Sequence, residues 1–466
     1  MEIIAFAVFL ILFASVGLLS RWKASNSEAD YLLADREVSP LLTALSAAAT
    51  KYSGYMFIGL MGYIYTHGLS AIWILFGFLF GDAISFFTIH RKLRKEAQRS
   101  GALSFSSLLS RWHGGERKLL KAAIGVISLV FLTTYAAAQF SAGGKALQVM
   151  FGWAPQTGAI IGALLITAYC LSGGLRASIW TDAAQSIVMT LALILLLSAA
   201  ISSVGGFTFF IEKLQSVSPS YLDLGSARFG SLGATVLFAL GWVFNGIGVV
   251  GQPHIMVRFM ALNRWENTTI TGVYYFTWSA VFLLLTLAVG LSARLFIVDV
   301  GQFDAELALP LLTLHLLPGI AIGVVLGGVF AATMSTADSQ ILACSAVLSE
   351  DFKLGHSNQS RRFVTLAVAL VALGISLFAS TNVFSLVILA WSALASSIGP
   401  IVIVHALGKK PPEMVSLTMM ASGLITVILW RQFGLNIAVY EGLPGIVVSL
   451  LVYVSATYLM PRSKNS

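Results

Sequence analysis

Residues 46–54 read SAAATKYSG in the middle of an apolar stretch long enough to cross a lipid bilayer. A second interruption, NGIG followed by GQP, lies within another such stretch at residues 245–253. Small, polar and helix-breaking residues free backbone groups that hydrocarbon cannot satisfy, so such backbone survives only where it lines a cavity or binds something. Two similar interruptions therefore favour the broken helices of a transporter built of repeats, although Gly, Ala and Ser are also common on closely packed helix faces.

The composition around these interruptions excludes a soluble enzyme. Of the 466 residues, 57% are hydrophobic and 10% are charged, whereas about 25% are charged in an ordinary soluble domain. So little polar material cannot cover a water-facing surface of this size, and the lipid bilayer must be the missing solvent. Apolar runs of roughly 20 residues recur along the chain and predict an all-α polytopic membrane protein with one transmembrane domain over residues 1–466.

These runs predict about thirteen transmembrane helices. Their centres lie near Leu10, Tyr52, Leu79, Val130, Leu165, Leu191, Trp242, Leu283, Val329, Ala369, Ile388, Leu424 and Val448. Of the 28 Lys and Arg residues, 22 lie in loops on one side, five on the other, and Lys51 within a span. The basic-rich side is expected to be cytoplasmic. The N-terminus is then outside, and the C-terminus, with Arg462 and Lys464, inside, in a cell inner membrane or plasma membrane.

Other features of composition fit a membrane protein. The formal net charge of +8 comes from residues in short loops, so it indicates membrane topology and not a nucleic-acid partner. Cys170 and Cys344 lie within apolar runs, where cysteine usually behaves as a small hydrophobe. We expect no disulfide and no transition-metal site.

Four ionisable residues lie deep within the predicted spans: Lys51, Asp82, Asp182 and Asp338. A charge at mid-bilayer costs at least about 2.5 to 3.5 kcal/mol, so each faces a cavity or an oppositely charged partner and is a functional candidate. Asp338 follows two hydroxyl residues on the same predicted helix, which provides oxygen ligands for a hard cation. The alternative is an ion pair that only fixes helix packing.

Three other classes of protein are weaker interpretations. An enzyme requires a nucleophile, a base or a metal cluster, and the seven His residues lack metal-ligand spacing, so we expect no enzymatic activity. A channel also contains broken helices and intramembrane charge, but no repeated filter sequence is visible. A sensor with a transporter-like input module would need a separate signalling partner.

Several motifs resemble the sodium:solute symporter family, and sodium/proline symporters in particular. The resemblance extends over nearly the whole chain. The motifs are Thr43-Ala44-Leu45-Ser46-Ala47, Ser172-Gly173-Gly174-Leu175, Trp180-Thr181-Asp182 with Gln185, Gly251-Gln252-Pro253-His254, Arg258-Phe259-Met260-Ala261, Met334-Ser335-Thr336, Glu350-Asp351, Arg431-Gln432-Phe433-Gly434 and Tyr440-Glu441-Gly442-Leu443-Pro444-Gly445.

The resemblance implies a leucine-transporter-like fold with two five-helix inverted repeats. Spans two to six, about residues 38–204, and spans seven to eleven, about 229–407, would form the repeats. Residues 1–20 would add an N-terminal helix, and residues 413–460 two C-terminal helices. The implied activity is secondary active import of a small organic solute coupled to sodium, by alternating access around a midplane site.

The resemblance also implies particular sites. The main sodium site maps to backbone or hydroxyl oxygens of Ala49, Tyr52, Ala332, Ser335 and Thr336. A second cation or proton site, known in some relatives, maps to Asp182, Ser335, Asp338 and Ser339. The solute cavity maps to Thr50, Ser53, Tyr55, Tyr135, Asn245, Val249 and Pro253, and Lys51 is counted with these solute residues because it could bind a solute carboxylate.

This chain departs from proline symporters inside the implied cavity. Those proteins have aromatic residues at the positions of Asn245 and Val249, and Trp at the position of Tyr55. The second cation site here gains the carboxylate of Asp338 where proline symporters tend to have Ser. The solute is therefore expected to be amino-acid-like, either proline or another carboxylate.

The remaining departure is Lys51, which replaces an Asp that is important for sodium coupling in proline symporters. Two like charges about 5 Å apart repel by roughly 3 kcal/mol at an effective dielectric constant near 20. One hypothesis is that the Lys51 ammonium replaces sodium and contacts Ser335, Thr336 or Asp338. Because a buried lysine can release its proton near neutral pH, transport would then be H+-coupled or ion-independent. Two alternatives remain: Lys51 binds a solute carboxylate, or Asp82, Asp182 or Asp338 neutralises it.

Overall fold

The computed structural model describes residues 1–23, 25, 27–298, 301–354, 358–378 and 382–459, apart from some side chains next to the gaps and at 166–173 and 226–227. Arg462, Lys464, the last residue of the predicted segment 413–460 and the Cys170 side chain lie outside this description.

The described residues are almost entirely helical. The first half of the chain forms α1 (Glu2–Leu19), α2 (Glu28–Leu33), α3 (Pro40–Lys51), α4 (Gly54–Phe57), α5 (Gly59–His67), α6 (Ile72–Ser85), α7 (Arg91–Ser100), α8 (Phe105–Arg111), α9 (Lys118–Phe151), α10 (Pro155–Ser203) and α11 (Phe207–Val217). The second half forms α12 (Ser226–Phe229), α13 (Leu232–Ile247), α14 (Pro253–Met260), α15 (Thr268–Phe296), α16 (Ala308–Leu316), α17 (Gly319–Ala346), α18 (Asn358–Phe378), α19 (Val383–Ser397), α20 (Gly399–Ala406), α21 (Glu413–Gln432) and α22 (Gly442–Leu459).

The helices agree with the predicted membrane spans. Twelve of the thirteen predicted centres lie inside helices, and the other, Tyr52, lies where α3 ends. In the described part of the chain, nine helices are long and apolar enough to cross a membrane by length and composition. The all-helical fold is confirmed, and the number of thirteen spans stays a prediction.

The first predicted break separates α3 from α4. The last backbone hydrogen bond of α3 runs from the Tyr52 N–H to the Ala48 carbonyl, and Ser53 is extended, with φ −67° and ψ −176°. Side chains replace the missing helix bonds: the Gly54 N–H donates to Gln139 Oε1 at 2.9 Å, and Ser53 Oγ accepts from the Tyr55 N–H at 3.2 Å. The break is thus stabilised by protein groups, as hydrocarbon surroundings require.

The second predicted break separates α13 from α14. A short turn over residues 248–251 follows α13, and α14 begins at Pro253, whose missing N–H is tolerated in the first turn of a helix. The Gln252 side chain donates to the Trp391 carbonyl at 3.0 Å. The Trp391 indole in turn donates to the Asn245 carbonyl at 3.2 Å. Both ends of this break are therefore attached to α19.

A third irregularity lies at Gly174 inside α10, where φ is 57° and ψ is −151°. This conformation strongly favours glycine. A Cβ atom at this position would also lie 2.5 Å from the Tyr31 carbonyl oxygen in α2. The kink therefore allows α2 to pack directly against α10.

The chain segments outside the two predicted repeats cover their surface. Helix α1 packs against α10 and α17, while α21 and α22 pack against each other and against α19.

On one face of the protein, Lys145 of α9 contacts Asp304 at 2.6 Å and Glu306 at 2.5 Å. Glu306 also accepts the backbone N–H of Phe384 at 2.8 Å. This carboxylate holds the first turn of α19 beside the segment that precedes α16.

Helices α6 and α13 approach so closely that their backbones touch. A Cβ atom on Gly81 would lie 1.9 Å from the Val243 carbonyl oxygen, and one on Gly246 would lie 2.2 Å from the Phe78 carbonyl oxygen. Small residues at helix crossings allow this approach in membrane proteins. The crossing places Asp82 of α6 next to the broken helix α13–α14.

We predict that Gly81→Ala lowers the free energy of unfolding by about 1–3 kcal/mol, because α6 and α13 must separate to admit the methyl group. Gly374→Ala in α18 is the control, since a Cβ atom there meets nothing within 4 Å; it should be neutral or slightly stabilising. Thermal unfolding of the purified variants measures both effects. Equal stability of the two variants would show that the crossing tolerates separation.

Candidate ion and solute sites

Lys51 forms a buried ion pair with Asp82. The Lys51 Nζ atom lies 2.5 Å from Asp82 Oδ2, and both side chains are inaccessible to solvent. The same carboxylate oxygen accepts from the Tyr275 hydroxyl at 2.7 Å, and Nζ donates to the Tyr52 hydroxyl at 3.1 Å. The ring centroids of Tyr52, Phe78 and Tyr275 lie 4.3 to 5.2 Å from Nζ. The ammonium is therefore neutralised by a carboxylate and surrounded by aromatic rings.

This pair corrects the expectation that Lys51 contacts Ser335, Thr336 or Asp338, which is wrong. Thr50 and Lys51 are neighbours on α3, but successive side chains of a helix point about 100° apart. Thr50 faces α17, with its hydroxyl 3.1 Å from Ser339 Oγ, whereas Lys51 faces α6. The opposite charge of Asp82 also offsets the repulsion expected between Lys51 and a nearby cation.

The residues predicted for the main sodium site lie at the end of α3 and on α17, two helices that contact each other. The Thr336 hydroxyl lies 2.9 Å from the Thr50 carbonyl and 3.1 Å from the Ala332 carbonyl. The Ser335 hydroxyl lies close to Asp182 but forms no hydrogen bond of ordinary geometry with any described residue. Ala49 and Tyr52 lie at the frayed end of α3, where helix carbonyls lose their partners. These oxygen donors suit a hard cation such as sodium.

The residues predicted for the second site form a fully buried polar cluster. Asp182 Oδ2 accepts from the Ser46 hydroxyl at 2.6 Å and lies 3.4 Å from the Thr50 hydroxyl. Ser339 Oγ lies 3.0 Å from Asp338 Oδ1 and 2.5 Å from the Ser335 carbonyl. The cluster thus joins α3, α10 and α17 at one point.

Arg258 of α14 also enters this cluster, which the sequence analysis did not foresee. Its guanidinium is fully buried, lies 3.4 Å from Asp182 Oδ2, donates to Ser178 Oγ at 2.8 Å and contacts Ser339 Oγ. The count of basic loop residues includes Arg258. One feature of the sequence indicates that this residue is buried: it lies five residues after the break at Pro253, on a half-helix that turns towards the protein interior.

The cluster contains more acceptors than its own donors satisfy. Asp182 Oδ1, Asp338 Oδ2 and Ser335 Oγ are buried and form no hydrogen bond of ordinary geometry with a described residue, although Ser335 lies close to Asp182 and Ser178 lies close to Asp338. When both carboxylates are ionised, the single guanidinium of Arg258 leaves one negative charge uncompensated. Buried charges are usually paired or coordinate metal ions, so this arrangement is suited to a cation or a proton.

A small enclosed cavity lies beside the Lys51–Asp82 pair. Its free volume is about 20 Å³, and its walls comprise Lys51, Tyr55, Met56, Ile74, Leu75, Phe78, Tyr135, Trp242, Asn245, Val387, Ile388 and Trp391. On one side, the ring of Phe384 packs against Tyr55 and stacks on Tyr63, each at a centroid distance of 5.4 Å. These aromatic rings separate the cavity from the face that carries Glu306.

Four of the predicted solute residues, Lys51, Tyr55, Tyr135 and Asn245, line this cavity. The other four are buried nearby but do not belong to its described wall: Thr50, Ser53, Val249 and Pro253. Thr50 instead contacts the carboxylate cluster, and Ser53 Oγ lies 3.3 Å from the Tyr135 hydroxyl. The sequence analysis missed Trp242 and Trp391, which resemble ordinary core residues in an apolar helix.

Broken helices around a small internal cavity, with buried charges beside it, are the arrangement expected of a secondary transporter. Solved structures share this fold. A sodium-coupled sialic acid symporter in a substrate-bound, outward-open state has a TM-score of 0.83 at 16% identity, covering 100% of this chain and 99% of that one. The transporter MhsT in complex with L-phenylalanine has a TM-score of 0.60 at 13% identity, covering 90% and 99%. The leucine-transporter-like fold is therefore confirmed.

The chain belongs to the sodium:solute symporter family, whose profile matches residues 31–421. A sodium/proline symporter from Escherichia coli strain K12 is 30% identical over 462 residues, covering 96% of this chain and 90% of the relative. A high-affinity proline transporter from Bacillus subtilis strain 168 is 32% identical, covering 92% of each chain. The protein is thus a multi-pass membrane symporter that carries a small-molecule solute.

We predict that Lys51→Met lowers the free energy of unfolding by about 3–5 kcal/mol, because it leaves Asp82 buried without its counter-charge. Asp82→Leu should lower the free energy of unfolding to a similar extent, because it leaves the Lys51 ammonium buried without its counter-charge. The double variant, which removes both charges, should recover most of the loss. Thermal unfolding of the four proteins provides the double-mutant cycle, and additive losses would contradict a direct ion pair.

Proposed function

We propose that the protein imports a small amino-acid-like solute, such as proline or another carboxylate, by symport with sodium. The observation that carries this proposal is the convergence of oxygen atoms between the end of α3 and the middle of α17. The Thr336 hydroxyl contacts the freed Thr50 carbonyl there, and the Ser335 hydroxyl, on the preceding residue of α17, forms no hydrogen bond of ordinary geometry with a described residue. Sodium held between a broken helix and α17 would stabilise one arrangement of the two helices, which couples ion binding to closure.

Replacement of sodium by the Lys51 ammonium or by a proton finds no support. The ammonium donates its hydrogen bonds to Asp82 and Tyr52, on the side of α3 away from Ser335 and Thr336. The relatives are named as sodium-coupled symporters, which favours the ordinary ion. A channel or a sensor has no comparable support, since none of the matches reported above carries such a name.

The carboxylate cluster is proposed as a second cation site. Asp182, Asp338 and Ser339 would hold a second sodium ion or a proton opposite the guanidinium of Arg258. Its support is the uncompensated negative charge and the unpartnered oxygens of the two carboxylates. This site would give the transport cycle a second coupled cation.

Two further features belong to the same proposal. Residues 38–204 and 229–407 are proposed as inverted repeats, which the matching positions of the two helix breaks support. The N-terminus is proposed to lie outside and the C-terminus in the cytoplasm, as the distribution of Lys and Arg favours. Labelling of single cysteines placed at each loop from either side of the membrane tests this orientation.

Purified protein in proteoliposomes should accumulate labelled L-proline or a related amino acid when an inward sodium gradient is imposed. Ser335→Ala should raise the half-saturating sodium concentration about tenfold, because one oxygen ligand of a cation is lost. Ser128→Ala in α9 is a matched control, since its hydroxyl is likewise buried and unpartnered. Uptake that ignores the sodium gradient would reject the proposal.

Asp338→Asn tests the second site separately. The variant balances one carboxylate against one guanidinium, so the second cation should no longer bind and the sodium dependence of uptake should become less steep. If the second cation is sodium, the Hill coefficient for sodium measures this change; if it is a proton, the pH dependence of uptake should weaken instead. A variant that matches the wild type in both measurements would assign Asp338 a structural role.

A further inference from the structure

Three residues in the wall of the solute cavity carry polar atoms that lack a partner. These atoms are the Tyr55 hydroxyl, the Trp242 indole Nε1 and the Asn245 Oδ1, none of which forms a hydrogen bond with a described residue. The three side chains belong to residues that are at most 6% exposed. The indole only donates, the amide oxygen only accepts, and the phenol does both. The cavity therefore offers both kinds of hydrogen-bonding group.

Groups of this kind are rarely left unpaired inside a folded protein. The backbone and packing contacts of these residues do not depend on the unpaired atoms. The Asn245 carbonyl accepts from Trp391, the Tyr55 ring packs against Phe384, and the Trp242 ring stacks on Tyr440 at 5.3 Å. The polar atoms are thus unpaired within the protein, while the scaffold that carries them is held by other contacts. Because the free volume is about 20 Å³, the cavity must widen before a solute can bind these atoms.

The electrostatics of the cavity restrict the charge of that molecule. Lys51 is the charged residue in the described wall, and Asp82 neutralises it at 2.5 Å. A solute with a net charge would enter without a counter-charge, which is costly in a buried, low-dielectric site. A zwitterion costs less, because its ammonium and carboxylate groups partly neutralise each other.

We infer that the solute is a neutral amino acid with an uncharged polar side chain, an amide or a hydroxyl. The inference rests on the proposed function and names its substrate class. The side chain of the solute donates to Asn245 Oδ1 and accepts from both Trp242 Nε1 and the Tyr55 hydroxyl. Proline cannot do this, because its side chain consists of methylene groups. A site built to hydrogen-bond a substrate discriminates strongly against an analogue that lacks the group.

The test is thermal stabilisation of the purified full-length protein in sodium buffer. L-Glutamine, L-asparagine, L-serine and L-threonine are compared with L-proline, L-glutamate and L-lysine. At least one amide or hydroxyl amino acid should stabilise at a concentration about tenfold or more below that of L-proline. Equal or better stabilisation by L-proline, or by a charged amino acid, overturns the inference.

Two variants separate recognition from folding. Asn245→Leu and Tyr55→Phe should each raise the half-stabilising concentration of the polar amino acid at least about tenfold, with little change for L-proline. Neither variant removes a hydrogen bond within the protein, so stability without solute should persist. Asn436→Leu, in the turn between α21 and α22, and Tyr458→Phe, an exposed tyrosine at 85%, are the matched controls. Equal losses for both solutes, or no loss for either, contradict the inference.

The two proposals can fail independently. Sodium-driven uptake of L-proline without preference for polar amino acids leaves the symport proposal intact and rejects the substrate class. If no amino acid stabilises the protein in sodium and none is accumulated, both proposals are rejected.

Discussion

The structure depends on satisfying backbone groups at two helix breaks inside the bilayer. A break leaves N–H and carbonyl groups that lipid cannot bond. At the first break, Gln139 of α9 accepts from Gly54, and Thr336 of α17 contacts the Thr50 carbonyl. At the second, α19 provides both a donor and an acceptor through Trp391. The helices that support the breaks are therefore the same helices that enclose the ion and solute sites.

The buried charges follow from the same constraint. Lys51 and Asp82 form one neutral pair between α3 and α6, and Arg258 joins α14 to Asp182 of α10. Asp338 has no cation of its own within the described cluster, so a mobile cation or proton is the natural complement of this site. In this arrangement a fixed ion pair stabilises the scaffold, whereas the incomplete cluster is the proposed second cation site. Lys51, whose charge alone would repel sodium, instead pairs with Asp82 on the side of α3 that faces away from Ser335 and Thr336.

The solute cavity shows a similar division between support and recognition. Aromatic rings and backbone carbonyls hold its walls together, while the polar atoms of Tyr55, Trp242 and Asn245 are left over. The Glu306 carboxylate accepts a hydrogen bond from the backbone N–H of Phe384, in the first turn of α19. Phe384, which packs against Tyr55 in the cavity wall, is thus linked through its backbone to the ion cluster of Lys145 and Glu306. Movement of α19 would displace Phe384 and the cavity wall together.

The class of protein, both helix breaks and the four intramembrane charges can be predicted from the sequence, because composition, apolar length and helix-breaking residues act locally. The proximity of Ser335, Asp338 and Ser339 can also be predicted, since they lie about one turn apart on a helix. The tertiary structure was needed to show that Lys51 meets Asp82, that Arg258 joins the carboxylates, and that Trp242 lines the cavity. Those pairings depend on the direction in which each side chain leaves its helix and on which helix lies opposite, and a rotation of about 100° between neighbouring residues separates Thr50 from Lys51.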